Sequence, residues 1–155
     1  MSWPALFGLT NLVAVLGWLA LLLLPRRPAV HSLVLFACVG LLCLAYAAMV
    51  GALVLGGADP GRVALAGTPE LADYSIPGLR ALFMSDAGLV IGWTHYLAFD
   101  LFVGLWIARD ADAKEVSRWV QLPVLLLTFL AGPLGLLLWL LLREGRARRA
   151  ARLPA

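Results

Sequence analysis

Charged residues are scarce in this chain of 155 residues, because Asp, Glu, Lys and Arg together make up only 14% of it. Hydrophobic residues make up 63%, whereas a soluble domain is about 45–50% apolar and about 25% charged. So few charges cannot cover the surface of a soluble globule, and the apolar excess must face something other than water. The composition therefore predicts an integral protein of a lipid bilayer.

Residues that build metal, nucleotide or redox sites are scarce as well. The chain has two His and two Cys, and Cys38 and Cys43 lie in one apolar run. It has no Cys/His pattern with zinc spacing, no Gly-rich phosphate loop and no nucleophile elbow. We therefore expect neither a metal nor another cofactor. Nucleic acid is also an unlikely partner, since the basic tail 143–155 follows an apolar run directly, as topology signals that meet anionic headgroups do.

Long apolar runs are what the chain does contain. Four of them can be read directly, at about 6–24, 32–55, 87–107 and 120–142. At 1.5 Å rise per residue, about 20 residues cover the hydrocarbon thickness of about 30 Å. The sequence thus predicts an all-α, membrane-embedded four-helix bundle, one domain over 1–155, whose lipid bilayer is its main partner; it leaves a homo-oligomer open.

Two features punctuate this pattern. The connector 56–85 is rich in Gly and Pro and predicts a long loop between helices 2 and 3, with a short interfacial helix at 79–84. Gly132-Pro133 lies in the middle of the fourth run, where proline predicts a kink.

Four spans would place both termini on one side of the membrane. The tail, Arg62 and Arg80 then supply seven Lys or Arg on that side, against five on the other. Because cytoplasmic loops carry the excess of Lys and Arg, this count predicts an inner-membrane protein with both termini in the cytoplasm.

The third run holds the two ionisable residues of the deep membrane region, His95 and Asp100. A carboxylate at that depth costs about 2.5 to 3.5 kcal/mol or more, so we expect Asp100 to be neutral and both groups to face an enclosed polar niche. Five residues apart on a helix, they differ by about 140° in direction, with Cβ atoms about 10 Å apart. They can therefore share a ligand but cannot hydrogen-bond to each other.

Depth along alternating helices predicts their partners. Tyr46 lies level with His95, Asn11 lies one turn away, and Thr128 lies level with Asp100. We expect these three polar side chains to contact a bound molecule or the two ionisable groups.

The third run also resembles a known family. Residues 92–110 read GWTHYLAFDLFVGLWIARD, which is similar to the signature of the abscisic-acid-deficient-four-like membrane proteins; LFGLTN at 6–11, PGL at 77–79 and GPLGL at 132–136 also look like that family's pattern. The plant member is implicated in making neoxanthin. The chain departs from many relatives in having Gly104-Leu105-Trp106 where they carry Gly-Arg-Trp.

The resemblance implies a cofactor-free isomerase of carotenoid or terpenoid epoxides. In that reaction Asp100 would be the acid that protonates the epoxide oxygen and His95 the base that removes a neighbouring proton. Trp93, Tyr96 and Phe99 would bind the hydrophobic substrate and stabilise positive charge with their rings. The alternative is a non-catalytic membrane protein that binds a pigment or lipid, or that organises an enzyme complex.

Overall fold

The computed structural model describes residues 2–59, 61 and 73–150, with side chains described as far as Glu144. Its α-helices are α1 (Trp3–Leu23), α2 (Pro28–Leu33), α3 (Gly40–Val54), α4 (Ile76–Met84), α5 (Asp86–Ala113), α6 (Arg118–Leu130) and α7 (Gly132–Ala150). A π-helical segment, Val34–Val39, joins α2 to α3, so Pro28–Val54 is one helix. No strand occurs in the described ranges, which confirms the all-α prediction.

Three of these helices are long and apolar enough to cross a membrane: Trp3–Leu23, Pro28–Val54 and Asp86–Ala113. They have 21, 27 and 28 residues, and about 20 suffice for a hydrocarbon core of about 30 Å. The predicted runs at 6–24, 32–55 and 87–107 are therefore confirmed as helices that can span a membrane.

The helix starts follow ordinary capping chemistry. Pro4, Pro28 and Pro77 occupy first turns, where the missing N–H costs little. The Ser75 and Ser85 hydroxyls accept hydrogen bonds at the starts of α4 and α5. The short helix predicted at 79–84 is confirmed within α4, which begins at Ile76, and its interfacial position stays a prediction. Most of the predicted loop before it falls on 60 and 62–72, outside the described residues.

The fourth run differs from its prediction. Helix α6 has 13 residues, about 20 Å, and ends before Ala131, whose φ of −154° and ψ of 76° are not helical. Pro133 would break a continuous helix by removing a hydrogen bond and clashing with the preceding turn, but it fits the first turn of a new one. The expected kink is therefore a full break.

The chain reverses direction at this break. A Cβ at Gly135 would overlap the backbone of Thr128, and in a continuous helix those two residues would be about 10 Å apart. Gln121 at the start of α6 donates to the Ala108 carbonyl at 3.1 Å, and Trp139 on α7 donates to Asp110 at 3.0 Å. Both helices of this α6–α7 hairpin thus lie against the second half of α5.

The tip of the hairpin reaches the middle of α5. Gly132 packs so closely against Asp100 that a Cβ would overlap its carboxyl group, and Asp100 is the fifteenth of the 28 residues of α5. Helix α6 therefore enters from one end of the bundle and α7 returns to the same end. The prediction of a four-helix bundle is wrong in this respect: among the described residues there are three helices able to span, plus a hairpin of half depth.

The hairpin separates the two ends of the chain. At one end of the bundle, the Trp3 end, the Trp3 indole donates to the Asp59 carbonyl at 2.8 Å. At the other, the Arg26 end, Arg26 lies 2.9 Å from Asp112, and Arg143 on α7 lies 3.2 Å from Asp110. The start of α1 and the described end of the chain are thus at opposite ends of the bundle, whereas the prediction of both termini on one side assumed a fourth crossing.

Candidate functional site

Helix α5 carries both ionisable candidates, and it presents them to different neighbours. The His95 side chain is exposed on the outside of the bundle, whereas Asp100 is half-buried against the hairpin tip. The two therefore diverge as the spacing of about 140° predicts. They do not share an enclosed niche among the described residues, so this part of the expectation is wrong.

His95 lies in a row of aromatic rings between α3 and α5. Its ring centroid is 4.5 Å from that of Phe99 and 5.8 Å from that of Tyr46. The predicted proximity of His95 and Tyr46 is thus confirmed, because α3 and α5 run in opposite directions and bring these two positions level.

An apolar groove continues from this row along α5; we call it the groove. It has a volume of about 430 Å³ and is lined by Leu35, Phe36, Val39, Gly40, Cys43, Ala98, Phe99 and Phe102. Its walls are the π-helical segment with the start of α3 on one side and the middle of α5 on the other. Phe36, Phe99 and Phe102 are 74%, 57% and 47% exposed, so the groove opens sideways, toward lipid.

Sequence reasoning found only one member of the groove, Phe99. The others lie in uniformly apolar runs, where no residue type marks a position as facing a cavity rather than lipid. The one local signal is Gly40, a small residue on an exposed helix face, which leaves room in the groove wall.

The scan against family models supplies an independent finding. The model described as ABA DEFICIENT 4-like matches residues 5–139. The chain belongs to this family. The match covers the groove, both ionisable candidates and the hairpin as far as Trp139, and it confirms the resemblance carried by residues 92–110. No curated protein and no solved structure matches the chain.

On the other side of α5, toward the hairpin, polar side chains of this ABA DEFICIENT 4-like protein interact within their own helices. Tyr96, one turn before Asp100, interacts with the Asp100 carboxyl. The buried Thr128 hydroxyl donates to the Val124 carbonyl at 2.8 Å. Thr128 and Asp100 both lie at the hairpin tip, but no hydrogen bond joins them among the described residues, contrary to the predicted pairing.

The remaining predicted binding residues also lie on this side. The Trp93 indole donates to the Asn11 side chain at 3.1 Å, and Asn11 donates in turn to the Phe7 carbonyl at 2.7 Å. The Trp93 and Tyr96 ring centroids are 5.3 Å apart. These residues therefore join α1 to α5, and only His95, Tyr46 and Phe99 of the predicted set stand beside the groove.

No group of three His, Cys, Asp or Glu able to hold a metal ion occurs in the described part of the chain. The groups at or beside the groove are the His95 imidazole, the Tyr46 phenol, the Cys43 thiol and an apolar wall.

Proposed function

We propose that this ABA DEFICIENT 4-like membrane protein binds a carotenoid or a related terpenoid in the groove between α3 and α5. The observation that carries the proposal is the groove itself, an apolar cavity of about 430 Å³. It opens toward lipid beside the rings of His95 and Tyr46. Apolar pockets with few polar groups are typical sites for lipophilic ligands, and this one can be entered from within the bilayer.

His95 and Tyr46 would contact an oxygen on the end of the ligand. Phe102 and His95 lie seven residues apart on the groove side of α5, which is about 10 Å. An apolar chain can therefore lie along the groove with its end group at the imidazole. A hydroxyl or epoxide oxygen there gains a hydrogen-bond partner at a depth where water offers none.

The neighbouring imidazole and phenol favour a second candidate, isomerisation of a terpenoid epoxide. Tyr46 would donate its proton to the epoxide oxygen as the carbon–oxygen bond breaks, and His95 would take a proton from a neighbouring carbon as a carbon–carbon double bond forms. The epoxide becomes a hydroxyl compound of the same formula, so no oxidant or reductant is needed. The resemblance assigns the acid to Asp100, but the side-by-side rings favour Tyr46 instead.

Co-purification from carotenoid-producing cells tests both candidates. The full chain is expressed with β-carotene or with its diepoxide derivative, purified in detergent, and its pigment is extracted and separated by chromatography. Wild type should retain carotenoid. Replacing Gly40 with Leu should abolish retention, because Gly40 lines the groove and its Cβ position meets only the Leu35 carbonyl, at 3.6 Å.

Gly51→Leu is the matched control, since it adds the same side chain to α3 where a Cβ meets nothing within 4 Å. Equal retention by the two Leu variants would contradict the binding proposal. The Tyr46→Phe variant separates binding from catalysis: it should still retain pigment but should no longer convert the diepoxide. Unchanged conversion would contradict the isomerase candidate.

We also propose that the Arg26 end faces the cytoplasm. The cations with described side chains at that end are Arg26, Arg27, Arg109, Lys114, Arg118 and Arg143, whereas Arg80 on α4 is at the Trp3 end. Six against one is a strong bias under the positive-inside rule, and it arises because the hairpin returns α7 to the Arg26 end.

A further inference from the structure

A second cavity, the basic pocket, lies at the Arg26 end of the bundle. It has a volume of about 430 Å³ and is lined by Arg26, Arg27, Pro28, His31, Arg109 and Asp112. The turn between α1 and α2 and the last turns of α5 form its walls. None of these residues lines the groove, and none was a candidate in the sequence.

Positive charge in the basic pocket exceeds negative charge. Three arginines face one carboxylate, Asp112, which lies 2.9 Å from Arg26 and 3.6 Å from His31. Arg27 and Arg109 are exposed and form no ion pair or hydrogen bond with a described side chain. The pocket therefore keeps a net charge of about +2 that its own residues do not neutralise.

Arg26 is held in place at the inner wall of the pocket. Its Nη1 donates to the Val116 carbonyl at 2.9 Å and lies 2.9 Å from Asp112 Oδ1. Its Nε and Nη2 and the Asp112 Oδ1 atom are buried without a hydrogen-bond partner among the described residues. The donors that an oxyanion in the pocket can reach are therefore those of Arg27 and Arg109, whose side chains are exposed.

The basic pocket opens onto apolar surface deeper in the bundle. His31 lies one helical turn before Leu35, at the near end of the groove, and Arg109 lies two turns after Phe102. The charged residues of the basic pocket thus lie next to the apolar groove along the same two helices. We propose that the basic pocket binds the phosphate of an anionic membrane lipid, whose acyl chain enters the groove at Leu35.

We prefer a lipid to a free phosphate because the apolar groove follows the basic pocket along the same helices. Arginine guanidinium groups bind phosphate through paired hydrogen bonds, which accounts for the pocket alone. Only a lipid also covers the exposed Phe36 and the partly buried Leu35 at the end of the groove. A lipid chain there would meet a terpenoid bound further along, but lipid binding itself does not depend on the terpenoid proposal.

Native mass spectrometry of the purified full chain tests the assignment without any terpenoid. The protein in detergent is mixed with equal amounts of phosphatidic acid and phosphatidylcholine that carry the same acyl chains. Wild type should retain phosphatidic acid about tenfold more than phosphatidylcholine. Arg109→Gln should lose most of that preference and Arg109→Lys less, since the side chain is exposed and the fold does not need it.

Arg80→Gln is the matched control, because it removes one exposed arginine at the opposite end. An equal loss in Arg80→Gln, or equal retention of the two lipids by wild type, would overturn the assignment. An excess of inorganic phosphate separates the two sources of the anion. It should leave the lipid bound; full displacement would mean that the pocket takes free phosphate and that the groove contributes nothing.

Discussion

The two sides of α5 differ in what their polar groups do. On the hairpin side, Asp110 accepts from Trp139 at 3.0 Å and pairs with Arg143 at 3.2 Å and with Lys114. On the groove side, His95 has ring neighbours at 4.5 and 5.8 Å but no hydrogen-bond partner among the described residues. The same helix thus carries Asp110, whose polar contacts lie within the protein, and His95, whose ring nitrogens have no such contact among the described residues.

This difference separates structural from functional polarity. Polar residues in hydrocarbon are costly, so each needs a reason to be there. Asp110 lies where the hairpin packs, and its contacts with Trp139 and Arg143 on α7 account for it. Asp100 also lies at the hairpin, but its buried Oδ2 has no hydrogen-bond partner among the described residues. His95 has no such account, and it stands at the end of an apolar groove.

Topology reporters test the hairpin with an all-or-none result. A fluorescent protein that matures only in the cytoplasm should glow when fused after Ala155 and stay dark when fused before Met1, because α7 returns to the Arg26 end, which we propose faces the cytoplasm. A periplasmic phosphatase at the same two positions is the control and should give the opposite pattern. Fluorescence from both fusions would mean that α6 and α7 cross the membrane as one helix, and the hairpin side would not exist as described.

Asp110→Ala tests the anchoring of the hairpin. The change leaves the Trp139 indole without its acceptor and Arg143 without its carboxylate, so we expect a loss of about 2 to 3 kcal/mol in the free energy of unfolding. Thermal unfolding in detergent measures it. Asp86→Asn, at an exposed position in the first turn of the same helix, should cost less than about 1 kcal/mol. Similar losses in both variants would remove the contrast between the two sides.

Replacing the two ionisable groups, one at a time, should give the smallest change in pigment retention. His95→Gln should weaken retention of an oxygenated carotenoid about fivefold, since one hydrogen bond to the ligand is lost. Asp100→Asn should change it less than about twofold, because Asp100 faces the hairpin tip rather than the groove. Pigment retained per protein, measured by absorbance, checks both, and the reverse order would restore Asp100 as the residue at the site.

The three long helices could be predicted from the sequence, because length and hydrophobicity alone decide whether a segment can span. The angle between His95 and Asp100 could be predicted as well, because helix geometry dictates it. The neighbours that each residue contacts could not be predicted. The groove depends on how α3 packs on α5, and a run of Leu, Val and Phe has no pattern that records that packing.

The hairpin could have been predicted from Gly132-Pro133. Read as an interruption within a helix, this pair predicts a kink; read as the start of a helix, it predicts a break, because proline favours a first turn. A prediction of a break also needs Gly135, because only a residue without a side chain lets Thr128 approach so closely. The charge count grouped the tail with Arg80, whereas Arg143, the first residue of that tail, lies at the Arg26 end.

The tip at Ala131–Gly135 also constrains the order of assembly. Its carbonyl at Ala131 accepts from Leu134 and Gly135, Pro133 has no amide hydrogen to bury, and Gly132 rests on α5. A turn of this kind is poorly suited to lie in lipid by itself, because exposed backbone is not tolerated in hydrocarbon unless protein covers it. We therefore expect the hairpin to dock onto a bundle that the three spanning helices have already formed.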